Sequence, residues 1–296
     1  MMSAMQALPE GCIAAAISFT SPRDACRLAC VSTTFRSAAE SDAVWDRFLP
    51  PEYLSAICDS GSGASSSPTM SSKKKFYLRA CHNPILINEG KLSFWLDKPS
   101  GKKCYMISAR ELKIVWSDTP AYWGWISLPE ASVKKKKKRF AEVAELRRVC
   151  WFDIRGEIST SLLSPMTTYV AYLVFKPTGD YTGFESNPVE ATIGLAGSEG
   201  QKRTVKLDTV REQQVQALVP WFLRGFNHRL APMRDDDCGG LPPEKRGDGW
   251  WEIELGAVFY GGDEEGDLSM TILEIERGNW KRSLVFQGIE IRPKKE

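Results

Sequence analysis

The stretch ARELKIVWSDTPAYWGWISLP, residues Ala109–Pro129, decides how the larger part of this chain is interpreted. Leu112, Ile114 and Trp116 occupy alternate positions, which is the period-two pattern of a half-buried strand. The Ser-Asp-Thr-Pro cluster that follows predicts a turn. Trp123 comes seven residues after Trp116, so a strand, a turn and a second aromatic cluster can fold back and bring the two indoles together.

The aromatic residues of this stretch allow two interpretations. Tyr122, Trp123 and Trp125 follow the turn, close to polar side chains. Flat apolar rings beside polar groups can stack on the C–H faces of a sugar, a nucleobase or a peptide. Aromatic rings also carry large apolar areas, which proteins usually bury in their cores. The residues alone leave both interpretations open for Trp116 and Trp123.

Length and charge limit the functional classes. The chain has 296 residues and a mass of 33.1 kDa, which suggests about two domains. Its 39 basic and 37 acidic residues give a net charge of +2, whereas a dedicated nucleic-acid binder usually has a strongly basic face, so we expect no nucleic-acid partner. No apolar run reaches the roughly 18 residues of a membrane span, and MMSAMQALPEGC has no signal-peptide pattern. We expect no membrane partner, and a cytoplasmic or nuclear protein with reduced thiols.

The sequence contains no recognisable metal-binding or catalytic motif. The eight cysteines form no C-x-x-C pair and there are two histidines, so the spacing predicts no metal site. The chain has neither a G-x-S-x-G motif nor a glycine-rich phosphate loop. Glu252 and Glu254 share one strand face, and paired carboxylates can hydrolyse glycosides, but a solvated acidic face explains them as well. We predict a non-catalytic protein without cofactors.

Residues 8–50 predict three or four short helices. Pro22 and Asp24 suit a first helical turn, and Ser21 before them is a favourable N-cap. Ser41 predicts a second cap, before a helix that contains Trp45. So short a segment buries too little apolar surface to be stable alone, so its remaining apolar residues should meet a partner or another domain.

This segment resembles the F-box. The pattern LPEGCIAAAISFTSPRDACRLACVSTTFRSAAESDAVWDRFLP contains a Leu-Pro opening, a Ser-Pro-Arg-Asp step, a Val-Ser-x-x-Phe-Arg helix and a closing Trp-x-x-Phe. The resemblance implies an apolar face that binds the Skp-type adaptor of cullin–RING ubiquitin ligases, and apolar anchors on a helix face suit such a role. The residues that carry the implied adaptor contact are Leu8, Pro9, Ile13, Ile17, Pro22, Ala25, Leu28, Val31, Phe35 and Trp45. The alternative is a helical cap that packs only on its own chain.

A change of composition follows the helical segment. Residues 59–75, DSGSGASSSPTMSSKKK, are rich in Gly, Ser and Pro and show no apolar periodicity, which is typical of a flexible linker. Lys73–Lys75 at its end should be solvated. We therefore predict a helical domain at residues 1–54, a linker at residues 55–75 and a second domain at residues 76–296.

A run of six basic residues, Lys134–Arg139, follows the aromatic stretch. Like charges repel, so the run should be exposed and irregular. It fits a nuclear import signal, a patch for phosphate-bearing partners or a solvated loop.

The second domain shows repeated strand patterns separated by turns rich in Gly, Pro and Asp. Many strands without long helices between them indicate an antiparallel sandwich or barrel. The predicted strands are Lys91–Asp97, Lys103–Ser108, Leu112–Trp116, Leu146–Ile154, Thr167–Lys176, Val189–Leu195, Trp250–Tyr260, Ser269–Glu276 and Leu284–Arg292.

The order of these segments resembles the phloem protein 2 domain of Nictaba-related plant lectins. The resemblance covers about Phe76–Pro293, and its motifs are ARELKIVWSDTPAYWGWISLPEASV, RFAEVAELRRVCWFDIRGEIST, DGWWEIELGAVFY and LVFQGIEIRP. It implies a jelly-roll-like β-sandwich with affinity for N-acetylglucosamine oligomers or N-glycan cores. It also implies that Trp116 and Trp123 bind carbohydrate, and we expect Trp125 to lie in the core.

Together, the two resemblances imply a plant F-box protein with a lectin domain. Its expected function is the substrate-recognition subunit of an SCF-type ubiquitin ligase, in which the F-box docks the adaptor and the β-domain captures a glycoprotein. The alternative is an F-box receptor whose β-domain binds a protein target through its loops, without carbohydrate. In that case the tryptophans belong to the core.

Overall fold

The computed structural model divides the chain into two compact units. The first extends to Met106 and the second begins at Ile107. The first unit therefore continues beyond the predicted helical domain. Most of the predicted linker and the basic run Lys134–Arg139 lie outside the described residues. The predicted domain boundaries stay a prediction. The structure describes residues 8–51, 53, 72–127, 140–184, 188–209 and 242–295.

The first unit begins with short helices, as predicted for the N-terminal segment. Ser21 accepts a hydrogen bond from the Asp24 amide at 3.1 Å, so it is the predicted N-cap. Ser32 caps the next helix in the same way through the Phe35 amide. Ser41 occupies the N-cap position of the helix with Trp45, as predicted, but its side chain makes no cap bond. The helices are α1 (Glu10–Ile17), α2 (Pro22–Leu28), α3 (Thr33–Glu40), α4 (Asp42–Phe48) and α5 (Lys73–His82).

Helix α5 packs against α4 and completes the core of the first unit. The buried Tyr77 ring lies 5.2 Å from the Trp45 ring between their centroids, and its hydroxyl donates to the Lys98 carbonyl oxygen at 2.9 Å. Lys73 forms an ion pair with Asp46 at 2.7 Å. The lysines before Tyr77 were expected to be a solvated end of the linker; instead they begin this helix, because Tyr77 brings an apolar anchor to the Trp45 side of α4.

The β-strands follow in chain order and pair antiparallel wherever their register is given. In the second unit, one sheet has the order β14-β8-β12-β11, with β6 paired to β14 and β5 paired to β6; the other has the order β10-β9-β13-β7-β4. The strands are β1 (Ile85–Ile87), β2 (Leu92–Leu96), β3 (Lys103–Ser108), β4 (Lys113–Ile114), β5 (Trp123–Ser127), β6 (Glu142–Leu146), β7 (Phe152–Ser159), β8 (Thr167–Thr182), β9 (Val189–Leu195), β10 (Gln201–Val205), β11 (Glu244–Lys245), β12 (Trp251–Tyr260), β13 (Asp267–Glu274) and β14 (Arg282–Pro293).

Aromatic residues join the two sheets of the second unit. Phe152 of β7 and Phe286 of β14 come from different sheets, and their ring centroids lie 5.7 Å apart. Phe175 of β8 contacts the same Phe286 ring. All three side chains are fully buried, so the core lies between the facing sheets, as in a β-sandwich. The predicted fold class, a small helical segment followed by an antiparallel β-domain, is confirmed.

Several predicted strands differ in extent from the structure. Thr167–Lys176 continues to Thr182 as β8, and Ser269–Glu276 lies two residues earlier as β13. Two others were wrong in a way that bears on the fold. The segment Leu146–Ile154 is not one strand, because β6 ends at Leu146 and β7 begins at Phe152. The backbone amides of Arg147 and Arg148 turn away to bond the Tyr122 carbonyl oxygen, at 2.9 and 3.2 Å. The predicted strand Leu112–Trp116 is observed only as Lys113–Ile114, because the backbone turns sharply at Trp116.

The described residues contain no helix that is long and apolar enough to cross a membrane.

Candidate functional site

Trp116 lies on a sharp turn directly after β4. Its backbone has a φ of +60°, in the left-handed region that costs a non-glycine residue about 1–3 kcal/mol. The Thr119 amide donates to the Trp116 carbonyl oxygen at 2.9 Å, and the Ser117 amide donates to that of Ile114 at 3.2 Å. The turn ends the strand and leaves the indole 39% exposed.

The Trp116 ring is held by Tyr122 rather than by Trp123. The centroids of the Trp116 and Tyr122 rings lie 5.3 Å apart, with the planes tilted by 40°. Arg147 supports the turn from the next segment, since its Nη1 donates to the Pro120 carbonyl oxygen at 2.6 Å. The result is a fixed aromatic surface with one accessible indole.

Trp123 is part of the core. Its side chain is 2% exposed, and its Nε1 donates to the Val115 carbonyl oxygen at 3.1 Å. Its ring packs 5.9 Å from Phe286 between centroids. The structure therefore does not place Trp123 beside Trp116 on one surface, and in this conformation a sugar could reach only Trp116. The carbohydrate-binding role of both residues stays a prediction.

Trp125 is half-buried at the surface rather than in the core. The Arg110 guanidinium lies 3.8 Å above its ring centroid, and its Nε1 donates to the Ser117 carbonyl oxygen at 3.2 Å. Arg110 is itself paired with Glu142 at 2.8 Å. Because Arg110 covers one face of the Trp125 ring and the ring N–H is hydrogen-bonded to Ser117, Trp125 supports the turn that carries Trp116.

Two further exposed tryptophans lie at the same end of the second unit. Trp151 is 44% exposed and Trp280 is 55% exposed, and the Arg148 guanidinium lies 5.7 Å from the Trp280 ring centroid. We call Trp116, Tyr122, Trp151 and Trp280 the aromatic end. The sequence analysis did not single out Trp151 or Trp280, although the alternation of Trp151 with the apolar Phe152 and Ile154 was a usable signal.

Backbone hydrogen bonds tie the segments of the aromatic end together. The Val115 amide donates to the Asp153 carbonyl oxygen at 3.1 Å, next to Trp116 and Trp151. Val149 and Lys281 exchange two bonds, at 2.9 and 2.7 Å, next to Trp280. These bonds hold the loops before β5, before β7 and before β14 against one another.

A buried ion pair lies beneath the last of these loops. The Lys281 side chain is fully buried and pairs with the carboxylate of Glu274, which is also buried. The Lys281 ammonium also donates to the carbonyl oxygens of Asn279, at 2.9 Å, and Cys150, at 3.2 Å. It therefore fastens two loops of the aromatic end to the end of β13.

The carboxylates that were considered for catalysis are held in ion pairs. Glu252 pairs with Arg292 at 2.6 Å and with Arg246 at 2.7 Å, and Glu254 pairs with Arg203 at 2.5 Å. Among the residues that the structure describes, no group of His, Cys, Asp or Glu is arranged to hold a metal ion.

The comparisons with known proteins identify the family. The family model described as F-box domain matches residues 5–47, and that described as Phloem protein 2 matches residues 102–293. The chain is 45% identical to F-box protein At2g02240 of Arabidopsis thaliana over 99% of its own length and 81% of that protein, and 41% identical to F-box protein PP2-B1 of the same plant over 99% and 91%. The chain belongs to the F-box proteins with a phloem protein 2 domain.

Solved structures show only a remote likeness. The carbohydrate-binding module TmCBM61 in complex with β-1,4-galactotriose matches with a TM-score of 0.28 and 8% identity, over 62% of this chain and 87% of that one. Nothing is concluded from a likeness of this size.

The ten residues that were expected to contact an adaptor fall into a buried group and an accessible group. Six are buried within the first unit and hold its helices together: Ile13, Ile17, Pro22, Ala25, Phe35 and Trp45. Leu8, Pro9 and Val31 are exposed, and Leu28 is half-buried. In this conformation only these four side chains are accessible to a partner, and the adaptor-binding role of all ten stays a prediction.

The sequence analysis missed one exposed apolar residue of the F-box. Phe19 lies after α1 and is 73% exposed, with the Arg47 guanidinium 4.2 Å from its ring centroid. Val31 is 65% exposed at the end of α2. Exposed apolar side chains of this size are typical of a partner-binding surface. The signal for Phe19 was its place beside Ile17, outside the helical spacing of the buried residues.

Proposed function

We propose that this F-box protein is the substrate-recognition subunit of an SCF-type cullin–RING ubiquitin ligase. The F-box docks the Skp-type adaptor, and the phloem protein 2 domain binds N-acetylglucosamine-containing glycans on a target glycoprotein, so that the target is ubiquitinated. The protein itself performs no chemistry. The observation that carries the proposal is the presence of both domains in one chain, each with exposed aromatic or apolar side chains.

The exposed F-box side chains support the adaptor step. Leu8, Phe19 and Val31 leave apolar area in water that docking would bury, at about 25 cal/mol per Å². Apolar side chains that leave water together are typical anchors of a protein interface. A buried residue such as Trp45 contributes by holding α3 and α4 together, since its Nε1 donates to the Ala39 carbonyl oxygen at 2.7 Å.

The adaptor step is tested by binding of the purified adaptor to the full chain. Val31→Asp and Phe19→Asp should each weaken binding by at least about tenfold, because a charge is then buried or the contact is lost. Leu86→Asp is the matched control, since Leu86 is an exposed apolar residue of the same unit on β1. Equal binding by all three variants and the unchanged protein would refute the docking surface.

The aromatic end supports the glycan step. An exposed indole gives a flat apolar surface, and ligand sites combine such surfaces with a few polar groups. Of the two predicted sugar-binding rings, Trp116 is the accessible one. Tyr122 and Arg147 fix its position, so little conformational freedom is lost when a ligand binds.

The glycan step is tested by a glycan array followed by titration calorimetry. Trp116→Ala should lower affinity by at least about tenfold, whereas Phe259→Ala, an exposed aromatic on β12, should leave it unchanged. Binding that Trp116→Ala leaves intact would remove the ring from the site.

A second candidate is a protein-interaction receptor whose β-domain binds no carbohydrate. The observation that favours it is the burial of Trp123, which removes one of the two predicted sugar-binding rings from the surface. An array without signal, together with a target captured equally after enzymatic deglycosylation, would select this candidate.

We also propose a cytoplasmic and nuclear location, with Lys134–Arg139 as the import signal. A fluorescent fusion in which these six residues are replaced by Ser tests it. Unchanged nuclear fluorescence would show that the run serves another purpose.

A further inference from the structure

Trp151 lies on the solvent-facing side of the five-stranded sheet. Phe152 and Ile154 of β7 are fully buried against the other sheet, while Arg155 and Glu157 alternate with them and are exposed. Side chains of a strand alternate between its two faces, so Trp151 shares the outer face with Arg155. Its 44% exposure agrees with this position.

The strand register places Trp151 between Trp116 and a cavity. On one side, β4 pairs Ile114 with Ile154, and the Val115 amide bonds the Asp153 carbonyl oxygen, so the turn of Trp116 adjoins the start of β7. On the other side, β13 pairs Glu274 with Phe152 and ends there, so Ile275 follows next to the start of β7.

The cavity opens beside Ile275 and has a volume of about 230 Å³. This is smaller than the roughly 300–1,000 Å³ of sites for drug-sized ligands, so it suits one sugar-sized group rather than a whole ligand. Pro188 and Leu273 give it apolar walls, and Thr204 and Glu190 bring a hydroxyl and a carboxylate that can bond sugar hydroxyls. Strand pairing brings three of these residues side by side, since Glu190 of β9 is opposite Thr204 of β10 and Leu273 of β13.

We propose that a linear, neutral oligosaccharide binds across this outer face, with one sugar on Trp116, the next on Trp151 and a further one at the cavity. The proposal rests on the proposed glycan-binding function and assigns Trp151 as a binding residue. Ile114 and Ile154 are paired across β4 and β7, and paired residues of neighbouring strands lie about 4.5–5.5 Å apart, so the turn after β4 and the start of β7 are close enough to contact one oligosaccharide.

The charges around the cavity offset one another, which suits a neutral chain. Glu190 and Glu276 line the cavity together with Arg277, and Lys202 pairs with Glu190 at 3.5 Å. The acidic Asp153, between Trp151 and Arg155, is already bound by that arginine through two hydrogen bonds of 2.9 Å. Arg155 is therefore held in an ion pair with Asp153 and is not directed at a bound sugar.

Titration calorimetry with N-acetylglucosamine and its linear dimer, trimer and tetramer tests the proposal on the full chain. Trp151→Ala should lower affinity for the trimer and tetramer by at least about tenfold and leave that for the monosaccharide within about twofold. Trp151→Phe keeps a flat ring and should restore most of the affinity. Phe259→Ala is the matched control for loss of an exposed ring.

The outcomes separate this proposal from the one on which it rests. If the unchanged protein binds the oligomers and Trp151→Ala binds them equally, the role of Trp151 is refuted while glycan binding stands. If the unchanged protein binds none of these sugars, glycan recognition of this class fails and the oligosaccharide surface fails with it. A loss that includes the monosaccharide, with Trp151→Phe also inactive, would show a structural role and would refute the proposal.

Discussion

The contact between Tyr77 and Trp45 makes a testable claim about where the functional F-box unit ends. Tyr77 lies on α5, beyond the segment that matches the F-box family, yet it is buried against α4. We predict that Tyr77→Ala destabilises the F-box helices in the full chain. Adaptor binding should weaken as a consequence, even though Tyr77 itself is inaccessible.

The magnitude follows from what the ring loses. Replacing a fully buried aromatic side chain with Ala costs about 3–5 kcal/mol through lost burial and the cavity left behind. Tyr77 also contacts Phe48, at 6.3 Å between ring centroids, and bonds the Lys98 carbonyl oxygen. Tyr77→Phe keeps the ring and removes only the hydroxyl, which also lies 3.2 Å from the Asp97 carbonyl oxygen, and it should cost about 1 kcal/mol. Since a domain is stable by about 5–15 kcal/mol, the Ala variant should leave the first unit close to unfolding.

Amide hydrogen exchange of the full chain measures this effect locally. The protection of α4 and α5 should fall by the predicted free energy in Tyr77→Ala, while that of β8 and β12 stays unchanged. A loss below about 1 kcal/mol in α4, close to that of Tyr77→Phe, would refute the view that α5 stabilises the F-box helices.

Two further predictions concern buried polar groups. Lys281→Met leaves the Glu274 carboxylate buried without its cation, so it should lower the free energy of unfolding by about 3–5 kcal/mol. The double variant with Glu274→Leu should lose less stability. Urea unfolding measures both variants, and a double variant less stable than the single one would contradict this. Burial raises the pKa of the Cys81 thiol from 9.0 to about 11, so the folded protein keeps this proton between these pH values and loses stability as pH rises through them. Alkylation followed by mass spectrometry should modify Cys81 more slowly than the exposed Cys26 at neutral pH, and the rate for Cys81 should rise steeply only as pH approaches 11; a rate for Cys81 that is already at its maximum near pH 9 would contradict the shift.

Local patterns predicted the N-terminal helices and most of the long strands, but not the short strands β1, β5, β10 and β11. The cap at Ser21 depends on residues three positions apart, and the alternation of Trp251, Ile253 and Leu255 depends on neighbours in one strand. Such signals are contained within a few residues, so they do not depend on contacts with distant parts of the chain. The strands Lys103–Ser108 and Val189–Leu195 were predicted with the bounds that the structure has.

Contacts distant in sequence were beyond these patterns. Tyr77 lies far along the chain from Trp45, with a Gly- and Ser-rich segment between them, so composition indicated a boundary where the structure has a shared core. The aromatic end could not be predicted from the sequence for the same reason. Trp280 joins it only because Val149 and Lys281 bond across 132 residues of sequence.

The two tryptophans of the opening stretch show how one backbone angle decides which residue is available to a ligand. Leu112 and Ile114 are buried, and strict alternation would bury Trp116 with them. The left-handed backbone at Trp116 breaks this alternation and turns the ring out to Tyr122. Trp123 begins a new strand after the turn and returns to the core. A spacing of seven residues therefore could not show which ring is exposed, because that depends on the single position where the strand ends.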